Sequence, residues 1–318
     1  MKTLAVALAI GISAGTARGA EAPARGWLEG WRDATVAIGK RVSETVRGPD
    51  GKEIKRDRFV TVGTGVVMGL TSDPAKVPWL VTARHMFFDL SRGWEPTELY
   101  LRFGWFADRP VDEYLGVRLE LVREGKRLWL SPGSGVDLAC IALTMTPMEV
   151  GRAEVPYVPV EAFASADDLF EGAGVFALGY PASEDPKEPW SRITRPLLRH
   201  GIIAWVSPSR PEDALIVVDA AISPGNSGGP VFRVPSGVDR LGNFVLGQKV
   251  TFLGIATQMR LTTLPLVVGG GAAPEVDEKG KPNPKAQSPV GLGVVEPAAR
   301  VRLLLERAVQ LRGGRTGV

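Results

Sequence analysis

Cysteine and histidine are the scarcest chemically reactive residues in this chain of 318 residues. It has one cysteine, Cys140, and two histidines, His85 and His200. A single cysteine excludes an intramolecular disulfide. Cys140 also lies in the apolar segment DLACIAL, which favours a small buried side chain over a nucleophile. Since these three residues show no metal-ligand spacing, we expect neither a metal nor an organic cofactor.

A marked excess of one charge is also lacking. The chain has 38 basic and 35 acidic residues, a formal net charge of +3, and no long block of like charges. So small a net charge does not by itself favour a nucleic-acid partner or a membrane surface. The glycine-rich segment VVGGGAA lacks the lysine and the following helix of a phosphate-binding loop. We therefore expect no nucleic-acid partner.

Hydrophobic runs long enough to span a bilayer are absent, and the hydrophobic run at the N-terminus is short. It extends from Leu4 to Ala14 behind Lys2, too short to span a bilayer but typical of a signal-peptide core. Small residues favour cleavage after Gly19, with Ala22 as the alternative. We predict export to a bacterial periplasm or exterior, because export without disulfides suits those compartments, and no stable membrane span after removal of the leader. Retention through an uncleaved leader and a buried N-terminal helix are the alternatives.

Helical spacing is rare, whereas glycine and proline are plentiful at 38 and 25 residues. Short β-branched segments punctuated by glycine, such as FVTVGTGVVMGL and ALIVVDAAIS, are typical of strands. Leucines and valines recur at helical spacing in AARVRLLLERAVQLR near the C-terminus. Two runs of about six strands, joined by the proline-rich AEVPYVPVEAF, predict an all-β fold of two antiparallel six-stranded β-barrels with a C-terminal helix.

The predicted organisation is a signal peptide at 1–22, an N-terminal barrel at 23–152, a connector at 153–163, and a C-terminal barrel with its helix at 164–318. Residues 263–289 are rich in glycine, proline, lysine and aspartate and predict a loop between two strands. This loop could be a lid or a surface insertion, and both alternatives stay open.

The segment SPGNSGGP sets one serine, Ser227, among glycine, asparagine and proline after an apolar strand. Such a segment packs poorly but can hold backbone N–H groups and a hydroxyl in an exposed geometry. Acyl transfer by serine needs a base, an acid that orients the base, and N–H donors for the oxyanion. GNSGG fits the α/β-hydrolase pattern G-x-S-x-G, but no histidine follows Ser227 as that fold requires. The order His85, Asp137, Ser227 instead matches the chymotrypsin-type order.

Three segments carry a family resemblance: WLVTARHMF around His85, VDLACIAL at Asp137 and DAAISPGNSGGPVF at Ser227. They resemble the trypsin-like serine peptidases, most closely the HtrA-like bacterial branch. The segments VFALGYP, FLGIATQ and GLGVVEPAARV are similar to later strands of that fold, and the likeness covers residues 60 to 310 in patches. Arg84 departs from the family, which usually has a small or amide residue there. We expect no PDZ-like domain after the barrels.

The resemblance implies a role for each matched residue. Ser227 would be the nucleophile, His85 the general base and then acid, and Asp137 the residue that orients the imidazole. The oxyanion hole would lie in the loop of Gly225, Asn226 and Ser227, with backbone N–H donors from Gly225 and Ser227. Gly228 and Gly229 would then let the backbone pass close to the substrate.

The resemblance also implies a substrate site. Ala221 would form the floor of the primary specificity pocket, so no carboxylate would meet a basic side chain there. Thr257 would place its hydroxyl beside Asp137, while Gln258 and Met259 would pair with the substrate backbone as an added strand. Leu292, with Val294, would give the pocket an apolar wall. We therefore expect a small or medium apolar residue before the scissile bond.

Two residues are alternatives within the site. Asp89 lies four residues after His85 and could replace Asp137 as its partner, although Asp137 has the better strand context. His200 is expected to be structural, and a cysteine peptidase using Cys140 and His200 lacks a supporting signature.

The expected function is that of an exported serine endopeptidase that hydrolyses protein or peptide substrates through an acyl-enzyme. Two alternatives stay open: a silent or latent peptidase-fold protein that binds peptides, including a zymogen, and an esterase-like hydrolase with the same residues. The sequence implies no particular oligomeric state.

Overall fold

The computed structural model of the chain describes residues 27–47, 50–70, 77–106, 116–133, 135–146, 149, 151, 155–182, 188–234, 237–238, 241, 243–245, 250–265, 267–268, 271–272 and 285–313. The predicted signal peptide and both of its cleavage sites lie outside these residues. Within them, no helix combines the length and apolar character needed to cross a membrane.

The N-terminal half is a twisted sheet preceded by a short helix. The elements, in chain order, are α1 (Trp27–Ala34), β1 (Thr35–Arg47), β2 (Glu53–Gly69), β3 (Trp79–Thr82), β4 (Glu98–Phe103), β5 (Val117–Glu120), β6 (Val122–Arg123), β7 (Lys126–Arg127), β8 (Trp129–Leu130), β9 (Ala139–Ala142) and β10 (Val158–Pro159). The main sheet has the order β5-β4-β1-β2-β3-β9-β8, and β10 adds a parallel pair to β2. β6 and β7 form a separate small hairpin.

The C-terminal half is a closed barrel followed by a long helix. Its elements are β11 (Gly174–Gly179), β12 (Leu197–Val206), β13 (Ile216–Asp219), β14 (Pro230–Arg233), β15 (Gly237–Val238), β16 (Phe244–Val245), β17 (Thr251–Pro265), β18 (Val267–Val268), β19 (Gly271–Ala272), β20 (Lys285–Pro297) and α2 (Ala298–Gly313). Six strands close the barrel in the order β11-β12-β13-β20-β17-β14. The remaining four strands form two small hairpins.

Apolar side chains from both halves meet in one core cluster. It combines Trp31 of α1 and Val66 of β2 with Phe232 and Phe252 of the barrel and Leu305 of α2. Trp31 stacks on Phe232 with ring centroids 4.7 Å apart. Aromatic pairs of this kind add to the stabilisation from buried area. The shared core therefore fixes the sheet and the barrel against each other, and the candidate active site lies where they meet.

The all-β class, the C-terminal barrel of six strands and the terminal helix agree with the prediction. The N-terminal unit differs, because its eight strands form a curled sheet whose hydrogen-bonded order does not close. The region 263–289 also differs from the predicted loop at both of its ends. β17 and β20 pair as far as Pro265 and Lys285, so the strands extend beyond the barrel as a long ribbon. Residues 273–284 in its centre lie outside the described part of the chain.

Candidate active site

His85 and Asp137 lie at the ends of two neighbouring strands. β3 and β9 are antiparallel and pair Thr82 with Ala139, so the residues after β3 lie beside those before β9. A 3₁₀ turn at Arg84–Met86 follows β3, and Arg84 N donates to Asp137 O over 3.2 Å. The strand register thus brings together two residues that are 52 positions apart.

The imidazole of His85 and the carboxylate of Asp137 form a close pair. Nδ1 of His85 lies 2.7 Å from Oδ2 of Asp137, and the backbone N–H of His85 donates to Oδ1 over 3.0 Å. A carboxylate only accepts hydrogen bonds, so Nδ1 carries the proton and the lone pair of Nε2 stays available. This is the tautomer that a general base requires.

Asp89 and His200 have other partners than the His85–Asp137 pair. Asp89 accepts hydrogen bonds from the Ser91 backbone and hydroxyl, and the hydroxyl contact lowers the pKa of this carboxyl below its usual value. His200 is exposed and packs against Phe176, with ring centroids 4.8 Å apart. Asp137 is therefore the carboxylate that contacts His85.

Two successive tight turns shape the Ser227 loop. Asn226 N donates to Ser223 O over 3.0 Å, and Gly229 N donates to Asn226 O over 2.9 Å. Gly225 and Gly228, each the third residue of its turn, have φ of 91° and 88°. A positive φ at this position favours glycine. A Cβ at Gly228 would also lie 1.9 Å from Thr64 O, so the loop passes too close to β2 for any side chain.

Thr64 of β2 anchors this loop from the other half of the molecule. Its hydroxyl donates to Gly225 O over 2.6 Å and accepts from Tyr180 N over 2.9 Å. Its backbone N–H donates to Ser227 O over 2.9 Å, and its carbonyl accepts from the Thr82 hydroxyl over 2.7 Å. Thr64 is fully buried, so these bonds form away from water. No motif in the sequence pointed to Thr64, whose only signal is the small GTG segment inside β2.

Two backbone donors of the loop stay unpaired. Neither Gly225 N nor Ser227 N donates to any of the described residues. The peptide between Pro224 and Gly225 is trans, and its carbonyl accepts from Ala182 N over 3.1 Å, so Gly225 N–H points away from Ala182. An unpaired donor on a buried residue such as Gly225 is costly unless a ligand uses it. Both donors are therefore available for an oxyanion, whereas Asn226 N is already engaged by Ser223.

The Ser227 hydroxyl donates to the carbonyl of Thr257 over 3.4 Å. Within the described part of the chain it forms no hydrogen bond with His85. The segments that carry the two residues are nonetheless neighbours, because both approach Gly63 of β2. A Cβ at Gly63 would lie 2.1 Å from Met86 Sδ and 3.2 Å from Ser227 O.

Among the described residues, the Thr257 hydroxyl forms no hydrogen bond with Asp137, beside which it was expected. It donates to Val294 O over 3.5 Å, within the barrel. Asp137 instead receives a contact that the sequence did not suggest, since its backbone N–H donates to Oε1 of Glu296 over 3.2 Å. Glu296 forms an ion pair with Arg300 one turn further along. The one sequence signal for the role of Glu296 was the spacing of four residues between Glu296 and Arg300, which suits an ion pair on a helix.

A buried isoleucine lies beside the region of the expected specificity pocket. Ala221 is exposed and has φ of 50°, so it forms no pocket floor. Its neighbour Ile222 is 2% exposed and packs on Gly293, where a Cβ would lie 2.5 Å from Ile222 Cγ1. Leu292 pairs with Asp219 across β13 and β20 and is partly buried. Ile222 therefore limits the depth available beside the Ser227 loop.

Gln258 and Met259 lie where one edge of β17 has no partner strand among the described residues. β14 pairs with β17 only as far as Ile255, while β20 continues along the other edge. Gln258 is exposed, and Met259 packs against the barrel core. The free edge begins next to Thr257, the contact of the Ser227 hydroxyl.

Two clefts meet at His85. One, of about 430 Å³, is lined by residues that include Arg84, Asp89, Asp137 and Gln258. The other, of about 340 Å³, is lined by residues that include Lys40, Val62, Met86 and Ala182. An extended ligand could thus lie on both sides of the imidazole.

Cys140 is not part of the site. It is fully buried in β9, and burial raises the pKa of its thiol to about 12. A thiol in this state is not a nucleophile at neutral pH. Among the described residues, no group of three acidic, histidine or cysteine side chains could hold a metal ion.

Comparison with known proteins shows a curated relative of low identity. A "probable periplasmic serine endoprotease DegP-like" of Halomonas elongata is 24% identical over 151 residues, which cover 46% of this chain and 30% of that relative. The match thus spans less than a third of the relative's length.

Two solved structures are similar to this chain at low sequence identity. An HtrA-type protease, AlgW, with a decapeptide is 16% identical, with a TM-score of 0.45 over 89% of this chain and 65% of that one. The active form of the Rv3671c protease of M. tuberculosis is 15% identical, with a TM-score of 0.40 over 88% of this chain and 82% of that one.

The family comparison covers more than half of the chain. The pattern of the trypsin-like peptidase domain matches residues 63–238, a range that contains His85, Asp137 and Ser227. This chain therefore belongs to the trypsin-like peptidase domain family.

Proposed function

We propose that this chain is an exported serine endopeptidase that hydrolyses peptide bonds through an acyl-enzyme. The observation that carries the proposal is the 2.7 Å contact between His85 and Asp137 beside the Ser227 loop. Ser227 lies in a loop with two unpaired backbone donors, and these elements together supply a nucleophile, a base and an oxyanion site. No metal or organic cofactor takes part.

The first half of the reaction forms the acyl-enzyme. Nε2 of His85 removes the proton of the Ser227 hydroxyl while Oγ attacks the scissile carbonyl carbon. The carbonyl oxygen becomes an oxyanion and accepts hydrogen bonds from Gly225 N and Ser227 N, which are already fixed by the turns and by Thr64. The imidazolium then gives its proton to the departing amine. Asp137 stabilises that imidazolium and keeps the ring in position.

The second half releases the acid product. A water molecule loses a proton to Nε2 of His85 and attacks the acyl carbonyl in the same oxyanion site. Collapse of the tetrahedral intermediate returns the proton to Ser227 Oγ and frees the new carboxyl terminus. Each proton taken by His85 is thus returned within one turnover.

The orientation of Ser227 favours a second candidate, a latent form that binds peptides without cleaving them. Its hydroxyl contacts Thr257 O rather than His85. At 3.4 Å this hydrogen bond is long, and rotation of a serine side chain is fast compared with turnover. A bound peptide that fills the oxyanion site would favour the rotamer directed at His85. We therefore keep the active enzyme as the main proposal.

The substrate is proposed to be an extended peptide that adds a strand to the free edge of β17. Backbone groups from Gln258 onward are available there, because β14 stops pairing at Ile255. Main-chain hydrogen bonds would give affinity and the side-chain clefts would give specificity. Since Ile222 limits the depth beside Gly293, a small apolar residue is expected before the scissile bond.

Export is part of the proposal. The apolar run behind Lys2 and the absence of a disulfide partner for Cys140 fit a bacterial periplasm or exterior. The curated relative is named as periplasmic, which agrees with this location.

The proposal is tested by labelling the purified protein with a fluorophosphonate probe. We expect the wild type to be labelled and both Ser227→Ala and His85→Ala to lose the label, because only a serine activated by a base reacts. His200→Ala is the matched control and should label as the wild type does.

Peptide and ester substrates of equal sequence then separate the alternatives. Hydrolysis of both supports an endopeptidase, whereas hydrolysis of the ester alone would make the chain an esterase-like hydrolase. Folded wild type that neither labels nor hydrolyses, yet binds peptide, would replace the enzyme with the latent form.

A further inference from the structure

Asp137 is held through its backbone as well as its side chain. Its carboxylate contacts His85, and its carbonyl accepts from Arg84 N. Its backbone N–H donates to Oε1 of Glu296, which lies 159 residues further along the chain. Glu296 is at the end of β20, immediately before α2, so this contact joins the aspartate to the other half of the molecule.

The partner of Asp137 is a buried charge. Glu296 is 8% exposed. A buried carboxylate is strongly unfavourable unless it is paired and hydrogen-bonded. One oxygen accepts from Asp137 N, and the other pairs with Nη1 of Arg300. Both oxygens therefore have a partner beside the aspartate segment.

Arg300 is fixed in turn by the loop before β13. Its Nε donates to Glu212 O over 2.7 Å, and Nη2 lies 3.9 Å from a carboxylate oxygen of Asp213. Its side chain is 20% exposed. Because the guanidinium is held at two positions, its ion pair with Glu296 has a defined geometry, and the exposed Asp213 carboxylate adds only a weakly interacting third charge.

A simpler function for Glu296 is to stabilise the start of α2, since an acidic residue near a helix N-terminus is favourable. That function requires neither the contact with Asp137 nor a partner on the helix. The contact between Oε1 and Asp137 N is the observation that it leaves unexplained.

We infer that Glu296 and Arg300 form a neutral pair that positions Asp137 for His85, so that the loss of either charge changes the electrostatics of the imidazole. This inference rests on the proposed function. Glu296 and Arg300 are positioning residues and contact no substrate. Removing the Glu296 carboxylate leaves the Arg300 guanidinium without its buried partner, and this disfavours the His85 imidazolium. Removing the Arg300 guanidinium leaves the Glu296 carboxylate without its partner, and this favours the His85 imidazolium.

Other charged groups line the two clefts at His85 or contact Arg300, and they stay constant in the test. They are Arg84 and Asp89 in one cleft, Lys40 and Arg92 in the other, and Asp213 beside Arg300. The variants below change none of these groups.

The experiment is an NMR titration of the two imidazoles in the purified protein. The chain has only His85 and His200, and a His200→Gln variant assigns the signals. We expect Glu296→Gln to move the pH midpoint of the His85 signal down by about half a pH unit. Arg300→Gln should move it up by a similar amount, and the double variant should return it close to the wild-type value.

Controls separate charge from structure. The His200 midpoint should stay constant in all variants, and Arg302→Gln, on the same helix, should move neither midpoint. In turnover, Glu296→Gln should lower kcat about tenfold with KM unchanged, since positioning of the base matters in the transition state. An unchanged His85 midpoint in both single variants, or a shift in the same direction in both, would overturn the inference. The titration needs no turnover, so a wild type without hydrolysis would count against the proposed function alone.

Discussion

Ile222 and Gly293 lie face to face beside the strand that would carry the substrate. Ile222 belongs to the barrel core and is almost fully buried, while Gly293 of β20 pairs with Met259 of β17. The Ile222 side chain approaches Gly293 so closely that no other residue would fit there without a shift. Under the proposed function, this single aliphatic side chain would set how much of the substrate side chain is buried.

We expect Ile222→Ala to widen the preference for the residue before the scissile bond. Relative kcat/KM for substrates with Leu or Phe there, compared with Ala, should rise about tenfold, because a few methylenes in an apolar pocket change selectivity by this order. The measurement is a competition assay with a peptide library, read by mass spectrometry.

Ile203→Ala is the matched control, since Ile203 lies in the same core cluster and is fully buried. Both substitutions should destabilise the protein by about 2–5 kcal/mol, but only Ile222→Ala should alter selectivity. An equal change in both variants would show that loosening of the barrel, and not a local pocket, is responsible.

α2 is the element that connects the barrel to the N-terminal sheet. Its buried face contributes Val301, Leu304, Leu305 and Ala308 to the cluster that also holds Trp31 of α1. The same helix carries Arg300, so its docking brings the neutral pair to Asp137. Helix packing and the geometry of the proposed active site are therefore coupled.

We expect Leu305→Ala to lower the free energy of unfolding by about 2–5 kcal/mol, because Leu305 is fully buried and the substitution leaves a cavity. Leu303→Ala on the same helix should change it by less than about 0.5 kcal/mol, since Leu303 is 53% exposed. Urea unfolding followed by circular dichroism measures both values. A similar loss in the two variants would contradict the assigned face of α2.

At the scale of the whole molecule, Cys140 reports on the stability of the fold at high pH. The folded thiol has its pKa raised to about 12 from 9.0 by burial. Between these values the unfolded chain loses the thiol proton while the folded chain keeps it. The contribution of this buried thiol to stability is therefore fully present below pH 9 and is lost as the pH rises towards 12.

We expect wild-type stability to fall more steeply than that of Cys140→Ala between pH 9 and 11, by about 1.4 kcal/mol for each pH unit. The comparison with Cys140→Ala removes the contribution of other groups that titrate in this range. Urea midpoints at each pH measure the difference. Parallel curves for the two proteins would show that the thiol titrates normally in the folded state.

Thiol labelling checks the same point near neutral pH. Cys140 should react with an aromatic disulfide reagent only as the protein unfolds, and at once in denaturant. Rapid labelling of folded protein would contradict the burial of β9.

The sequence by itself determined the features that depend on local patterns. Short β-branched segments predicted the strands, leucine spacing predicted α2, and the order of His85, Asp137 and Ser227 predicted the candidate triad. These signals are local because side-chain alternation, helical periodicity and glycine-rich turns are written within a few consecutive residues. The order of the motifs placed His85 and Asp137 in one predicted triad, but their contact depends on the pairing of β3 with β9.

Only the tertiary structure decided the contacts between distant segments. The N-terminal sheet stays open, Thr64 anchors Gly225, and Glu296 contacts Asp137 across 159 positions. It also exposed Ala221 and buried Ile222, so the specificity pocket differs from the expected one. Such contacts depend on strand register and on how the two halves pack, and a shift of one residue would reverse which side chains face the site.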